Sequence, residues 1–406
     1  MRDIDPLVHL QELGRSLGAA GSADLEDLYL ERTVDVVHHL VAGTVAAREG
    51  LQRDGAAARW GQTLRSADGL DRITLAELVG VHPRQVPALL PPAPPPFPSS
   101  DTFMPLVPAG ARAVRWRWRW AAVVRPGRAC TLLRPELLEL TLQDDRRVLR
   151  AWPPAGGPVE SPPAPPSSSA LAPLPSRPVT VILAPAAAAV LLHELFGHPC
   201  EADLLAAGNS PWRARLGERV LNLTLTLSDN PTEFSLPGAF DVDDEGETAS
   251  CRNLLQDGVL VGVLADRRTA PLFGVAPGNA RRAGVHAPPR PRMSNLVVAP
   301  GEDVVAAPRT EAQVEITEVA AGTVDAATGH IFLAVSAAHT LRGGHPTRPL
   351  PPFTLATTVT DLASRLVAAG GKTGASAEHG WCGKDGDVVA TGARVPWLML
   401  VKMEIR

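Results

Sequence analysis

At 406 residues the chain is long enough for two domains with their own cores. Apolar residues make up 45% of it and the net charge is only −4, which excludes a disordered chain and a generalised nucleic-acid-binding surface. The longest apolar stretch, around Leu183 to Leu192, is too short to span a bilayer as a helix.

Residues 1–90 read as a small α+β unit. Leu7, Leu10, Leu13 and Leu17 have helical spacing and predict a helix over 6–17. Residues 23–47 offer one or two strand-like or helical segments, and 74–79 resembles a capped helix start. His9, His38, His39 and His82 fall here with no third ligand at a useful spacing, so they read as solvent-facing or packed side chains. The chain has 40 prolines, concentrated in 91–98 and 153–178. Such runs favour extended conformations and read as linkers or surface loops. Between them, residues 112–120 alternate strictly. That predicts a strand with Trp116, Trp118 and Trp120 on a buried face and Arg115, Arg117 and Arg119 on the other. Rings and charges facing opposite ways argue against a nucleic-acid surface, where both must meet the same ligand. With strands at 131–142 and 147–152, residues 91–178 are expected to be proline-rich linkers flanking a short β segment at 110–152.

The remainder, 179–406, reads as a larger domain. Residues 179–183 are a β-branched strand feeding a helix over 186–197. Residues 252–256 and 259–265 flank Asp257-Gly258, a strong hairpin signal. Strands are expected at 312–319, 330–337 and 397–405, and a helix at 360–369. The expected fold class is α+β: a small N-terminal α+β domain, and a larger C-terminal domain with a mainly antiparallel sheet. The four cysteines, Cys130, Cys200, Cys251 and Cys382, form no spaced framework, and the polar, acidic start lacks signal-peptide character. A reducing cytoplasm is the expectation.

The chemistry-bearing stretch is Leu191-Leu192-His193-Glu194-Leu195-Phe196-Gly197-His198-Pro199-Cys200-Glu201-Ala202-Asp203. Two imidazoles can hold a metal ion, and the carboxylate of Glu194 between them can take a proton from water. The common zinc-protease helix has its histidines at i and i+4. Here they stand at i and i+5, so on an ideal α-helix they would diverge by roughly 140°. They can share one ion only if the helix loosens or ends between them. Gly197 is permissive, and Pro199 disfavours α geometry at His198. Helix to Gly197, a turn at His198 and a second short helix from Pro199 to Ala207 is the expected path. On the pattern alone, packing or surface histidines are the ordinary alternative. A phosphate-loop reading of Gly370-Gly371-Lys372-Thr373 fails because Leu366 stands where the loop needs glycine, and no Gly-x-Ser-x-Gly elbow occurs.

Downstream lie Asp243-Asp244-Glu245-Gly246, the hairpin over 253–262 and Gly278-Asn279-Ala280-Arg281-Arg282. Pro291-Arg292-Met293-Ser294-Asn295 and Cys382-Gly383-Lys384-Asp385-Gly386 follow. With the histidine motif, Glu201 and Asp203, this ordered set resembles the metal-binding, TldD-like branch of the TldD/PmbA family of zinc metallopeptidases. Weaker matches at 23–29 and 59–61 extend the resemblance to the first 90 residues. The resemblance implies zinc held by His193, His198 and the distal Cys382, with Glu194 as general base; Cys200 is a rival thiolate. It also implies unfolded or precursor peptides as substrate and a related PmbA-like subunit completing a heterodimer, or else a homodimer, with no nucleic-acid or membrane partner. The alternatives are a tailoring hydrolase on a small amide or peptide-like metabolite, and a non-catalytic scaffold subunit. Asp243, Asp244, Arg281, Arg282 and Arg292 either orient ligands in the cleft or form loop-capping ion pairs. The chain departs from the family at Pro199, commonly glycine, and at Asp387, usually glutamine.

Overall fold

The structure, a computed structural model, describes residues 6–19, 24–89, 91–108, 110–142, 147–153, 171–299, 311–370 and 376–405. None of its helices is long and apolar enough to cross a membrane. Helix α1 (Pro6–Ala19) buries Leu10, Leu13 and Leu17, the stripe its spacing predicts. Strands β1 (Asp27–Val41), β2 (Thr44–Trp60) and β3 (Thr63–Asp68) follow, so this region is strand and the helical alternative falls away. Next comes α2 (Arg72–Val79), capped by Asp71 Oδ1, which accepts from the N–H groups of Ile73 and Thr74.

After the four-residue α3 (Ser100–Phe103) come β4 (Ala111–Arg125), β5 (Arg128–Leu132), β6 (Glu136–Leu142) and β7 (Arg147–Trp152). All seven strands share one antiparallel sheet, in the order β3-β2-β1-β4-β6-β7 with β5 also on β4. The β segment between the proline runs is therefore continuous with the first three strands: β4 pairs with β1 from Leu28↔Val124 to His39↔Ala113. The alternating strand places Trp116 and Trp120 in apolar clusters with Trp118 partly buried against both. Arg117 and Arg119 lie on its other face, paired with Asp35 and Glu31 of β1. The first proline run ends docked on this sheet, Phe97 stacking on His38 at 4.5 Å and meeting Trp116 edge-on at 5.7 Å. Most of the second run lies outside the described residues.

The second unit opens with β8 (Val179–Leu183) and α4 (Pro185–Leu192), then α5 (Ala202–Ala207) and β9 (Leu227–Asp229). It continues through β10 (Arg252–Gln256), β11 (Val259–Leu260), α6 (Ala270–Phe273), β12 (Ala280–Arg281), β13 (Arg290–Pro291) and β14 (Asn295–Val298). Then come β15 (Val314–Val324), β16 (His330–Arg342), β17 (His345–Pro349), β18 (Phe353–Thr358) and α7 (Val359–Arg365). The last strands are β19 (Leu366–Ala369), β20 (Ser376–Lys384), β21 (Asp387–Val395) and β22 (Leu398–Met403). They form two sheets rather than one, β11-β10-β9-β14-β21-β20 and β17-β16-β15-β8-β22-β19, with β18 on β16 and a small β12-β13 ribbon. The pairs β14–β21 and β8–β15 are parallel and the others antiparallel, so the expected α+β class with mainly antiparallel sheet holds.

Two elements differ from expectation. The hairpin turns at Asp257-Gly258, but its second strand stops at Leu260, because Leu264 leaves to bridge Glu201. The helix expected over 360–369 ends at Arg365, and Leu366–Ala369 extends as a strand against β22. Pairing there buries Leu366, Ala368 and Ala369, and that gain outweighs a helical pattern that no partner rewards. Helix α4 (Pro-Ala-Ala-Ala-Ala-Val-Leu-Leu) is apolar on every side, as a helix enclosed by other elements must be. It packs against β15 and against the β20–β21 hairpin. The two units are joined by charge: Arg59 meets Asp27 at 2.5 Å and Glu245 at 2.5 Å, and the indole N–H of Trp381 donates to Glu139 at 3.0 Å.

Candidate metal centre

Helix α4 does not end at the first histidine. It widens into a π turn over His193–Gly197, where the N–H of His198 donates to the carbonyl of His193, five residues back. One extra residue per turn cancels the divergence that an α-helix would impose on an i,i+5 pair. The two imidazoles face each other, ring centroids 4.9 Å apart and planes at 82°. His198 stays in α geometry (φ −57°, ψ −47°), so the helix is loosened rather than ended, and the expected turn at His198 is corrected. Pro199 still matters, through its missing N–H: the carbonyl of Leu195, its i−4 partner, would be orphaned. Trp212 Nε1 donates to it instead at 2.8 Å. A short 3₁₀ turn, His198–Cys200, then leads to α5.

Gly197 serves by close approach, not by special dihedrals. A Cβ built on it would lie 1.8 Å from the sulfur of the buried Met293. Gly197→Ala is therefore expected to destabilise the fold by about 1–3 kcal/mol through overpacking, read from the chemical-denaturation midpoint, with Met293→Ala on the same chain recovering part of the loss. An unchanged midpoint in the single variant would contradict this packing.

The third group comes from far along the chain. Cys382 lies on β20 opposite Val389, in the hairpin that turns at Asp385-Gly386. Its Sγ stands 3.5 Å from His198 Nε2, and ligand atoms of His193, His198 and Cys382 all lie within 4.8 Å of one another. Burial alone would raise the Cys382 thiol, but the two imidazoles outweigh it and hold the thiol well below its usual range. Arg292 Nη2 adds donors to the Cys382 carbonyl at 2.6 Å and to its sulfur at 3.1 Å. Two imidazole nitrogens and a thiolate are a donor set that suits zinc with a fourth position left for water, so the residues present fit such an ion. Cys200, the rival, is buried in the apolar core outside this trio, and burial, then Glu201, push its thiol up.

Around the trio sits a charged shell whose roles the sequence did not reveal. Glu201 Oε1 is 3.2 Å from His198 Nδ1, the nitrogen facing away from the sulfur. Lys384 Nζ in turn reaches Glu201 at 2.7 Å and Asp203 at 2.8 Å. Burial would raise Glu201, yet His198, Lys384 and Arg292 bring it down to about 2. Burial would lower His198, but Glu201 and Cys382 raise it well above the ordinary imidazole value. The i,i+3 spacing of His198 and Glu201 was a usable signal for this pair; Arg292 is singled out by its motif, with ligand orientation and loop-capping left open. Glu194 is buried beside both rings, its side chain against Gly322 of β15, where a Cβ would come within 2.7 Å of Glu194 Cγ. Burial pushes its carboxyl above the usual range, and the two imidazoles oppose that only in part.

The remaining motif residues divide. Asp243 accepts from the backbone N–H groups of Glu245, Glu247 and Ala280, a loop-capping role. Asp244 pairs with Arg134, and Arg282 reaches Asp27 at 3.4 Å while lying 4.8 Å over the ring of Tyr29. These contacts join the two units, whereas Arg292 donates to Cys382 of the candidate centre.

A sequence model of the PmbA/TldA metallopeptidase C-terminal domain matches residues 176–406. The chain is similar to a metalloprotease TldD homolog of Haemophilus influenzae, 29% identical over 221 residues covering 53% of this chain and 45% of that protein. It is also similar to a metalloprotease of Archaeoglobus fulgidus, 42% identical over 132 residues covering 32% of this chain and 30% of that one. The chain spans about half the length of the first of these curated relatives. Among solved structures, TldE from Thermococcus kodakarensis superposes with a TM-score of 0.67 at 13% identity, covering 99% of this chain and 100% of that one. That likeness is one of fold.

Proposed function

The chain belongs to the TldD/PmbA family of metallopeptidases, and from that premise we propose that it is a zinc-dependent peptidase hydrolysing peptide bonds of unfolded or precursor peptides. The observation that carries this reading is the convergence of His193, His198 and Cys382 on one point, with Glu194 beside them. His193, His198 and Cys382 would hold the ion. Zinc in such a setting supplies Lewis acidity toward a carbonyl oxygen and makes water acidic near neutral pH. Glu194 then receives the proton of the attacking water on a carboxylate oxygen and returns it to the leaving amine. Its burial favours the protonated form, which lowers the cost of accepting that proton. The Glu201 carboxylate, 3.2 Å from His198 Nδ1, favours a proton on that nitrogen, which would leave Nε2 free to ligate. Lys384 and Arg292 hold Glu201 ionised for that task.

The substrate would lie extended and be held through its backbone as an added strand, which gives affinity with little sequence preference. A related PmbA-like subunit in a heterodimer, or a second copy of this chain, would complete the site, and the cytoplasm is its proposed location. A scaffold subunit would have no need of the intact donor set. The test is digestion of unfolded casein by the purified chain, alone and with a PmbA-like partner. Cleavage is expected to stop on removal of metal by a chelator and to return with zinc. Cleavage indifferent to metal removal would refute the mechanism, and turnover of dipeptides and small amides alone would favour the tailoring hydrolase.

A further inference from the structure

The alternating strand β4 has a second face that the metal centre does not use. Arg117 and Arg119 line a cleft of about 380 Å³ between the first sheet and the second unit, and Arg53, Arg134 and Arg281 line it as well. Four of these five guanidinium groups are matched by carboxylates. Arg53 and Arg117 both meet Asp35 at 2.8 Å, Arg119 pairs with Glu31, and Arg134 pairs with Asp244. Arg281 is the exception. It is 5% exposed, donates to the carbonyl of Met293, and lies 5.7 Å from the ring centre of Phe240. Its Nε has no hydrogen-bond partner, and among the described residues no carboxylate comes within ion-pair distance of it, Asp229 and Asp244 acting on its charge only from further off. Burial, then the neighbouring Arg134, depress it to about 9, which still leaves it charged at neutral pH. A buried, unpaired cation facing a cleft is costly to the fold unless something anionic enters.

The cleft adjoins the metal centre. Trp381 lines it and is the residue before Cys382, and Val389, the partner of Cys382 across β20–β21, lines it too. Met293, whose carbonyl receives Arg281, also packs its sulfur against Gly197 in the turn between the two histidines. We propose that this cleft is a carboxylate-binding subsite for the substrate, with the guanidinium of Arg281 as the receiving group. The carboxylate is either the C-terminus of the peptide or an acidic side chain a few residues from the cleaved bond. The planar fork of arginine matches a carboxylate with two donors, which a structural cation does not require. This inference rests on the peptidase reading for the identity of its ligand.

The test uses zinc-loaded full chain carrying Glu194→Gln, so that peptide is bound and not consumed. Fluorescence anisotropy would compare three N-terminally labelled octapeptides: one neutral with a free C-terminus, the same peptide amidated, and the amidated peptide with one glutamate. Binding roughly 10- to 100-fold tighter than that of the amidated neutral peptide is expected for the first, the third or both, and which of them gains identifies the source of the carboxylate. Arg281→Met should remove the difference, and Arg281→Lys should keep part of it. Equal affinities for all three peptides, or no binding of any, would overturn the subsite without recourse to the variants. Because cleavage by the wild type is measured separately, a chain that binds carboxylates but cuts nothing loses the peptidase reading, while one that cuts all three alike loses only the subsite.

Discussion

Cys382→Ser is expected to abolish tight zinc binding. The thiolate is the one anionic donor of the trio, and it lies 3.5 Å from His198 Nε2. A serine hydroxyl does not ionise in this range, so the variant offers a neutral oxygen where a soft anion stood. It also leaves the Arg292 donor and the raised imidazole of His198 facing no sulfur. The loss should exceed the roughly 10- to 100-fold in affinity that changes behind the ligands cause. Metal analysis after gel filtration, with a competitive zinc titration, gives the answer. A serine variant that keeps one zinc per chain with wild-type affinity would show the sulfur is no ligand. The same titration should show affinity falling with falling pH in the wild type, since zinc must displace a proton that Glu201 helps His198 to hold.

Glu194→Gln is expected to lower kcat by about 10²–10⁴-fold while leaving zinc content unchanged. Glutamine nearly matches the volume packed against Gly322 and keeps one acceptor oxygen, but it cannot take a proton from water. Because Glu194 is not one of the three grouped ligand residues, metal and activity should come apart in this variant as they do not in Cys382→Ser. Initial rates on an unfolded peptide, taken with metal stoichiometry on the same sample, separate the two. Retained cleavage would remove Glu194 from the chemistry, and lost zinc would mean it acts on the ion directly.

Much of the site was legible because chemistry is local there. The i,i+5 spacing of His193 and His198 already required something other than an α-helix, and the pair Gly197 and Pro199 marked where. What the residues could not say was how: whether the helix stops, or swells by one residue and continues. That choice depends on Met293 filling the space beside Gly197 and Trp212 satisfying the carbonyl of Leu195, both distant in sequence. Cys382 is 184 residues from His198, and only the family resemblance pointed to it. The first sheet was half legible for the opposite reason. The Trp and Arg alternation of β4 shows its period openly, while β2 carries Gly50, Gly55 and a run of small residues with no alternation. It is a strand because β1 pairs with it along its whole length.

The π turn has a bearing on how such centres arise. A single inserted codon in an ordinary helix would swing every later side chain by about 100° and scatter a ligand pair. A turn that accommodates the newcomer as a bulge leaves both flanking segments pointing as before. Helices with three and with four positions between matching ligands can therefore be neighbours in evolution, one step apart. Pattern searches that insist on either count would separate kin that the fold itself treats as equivalent.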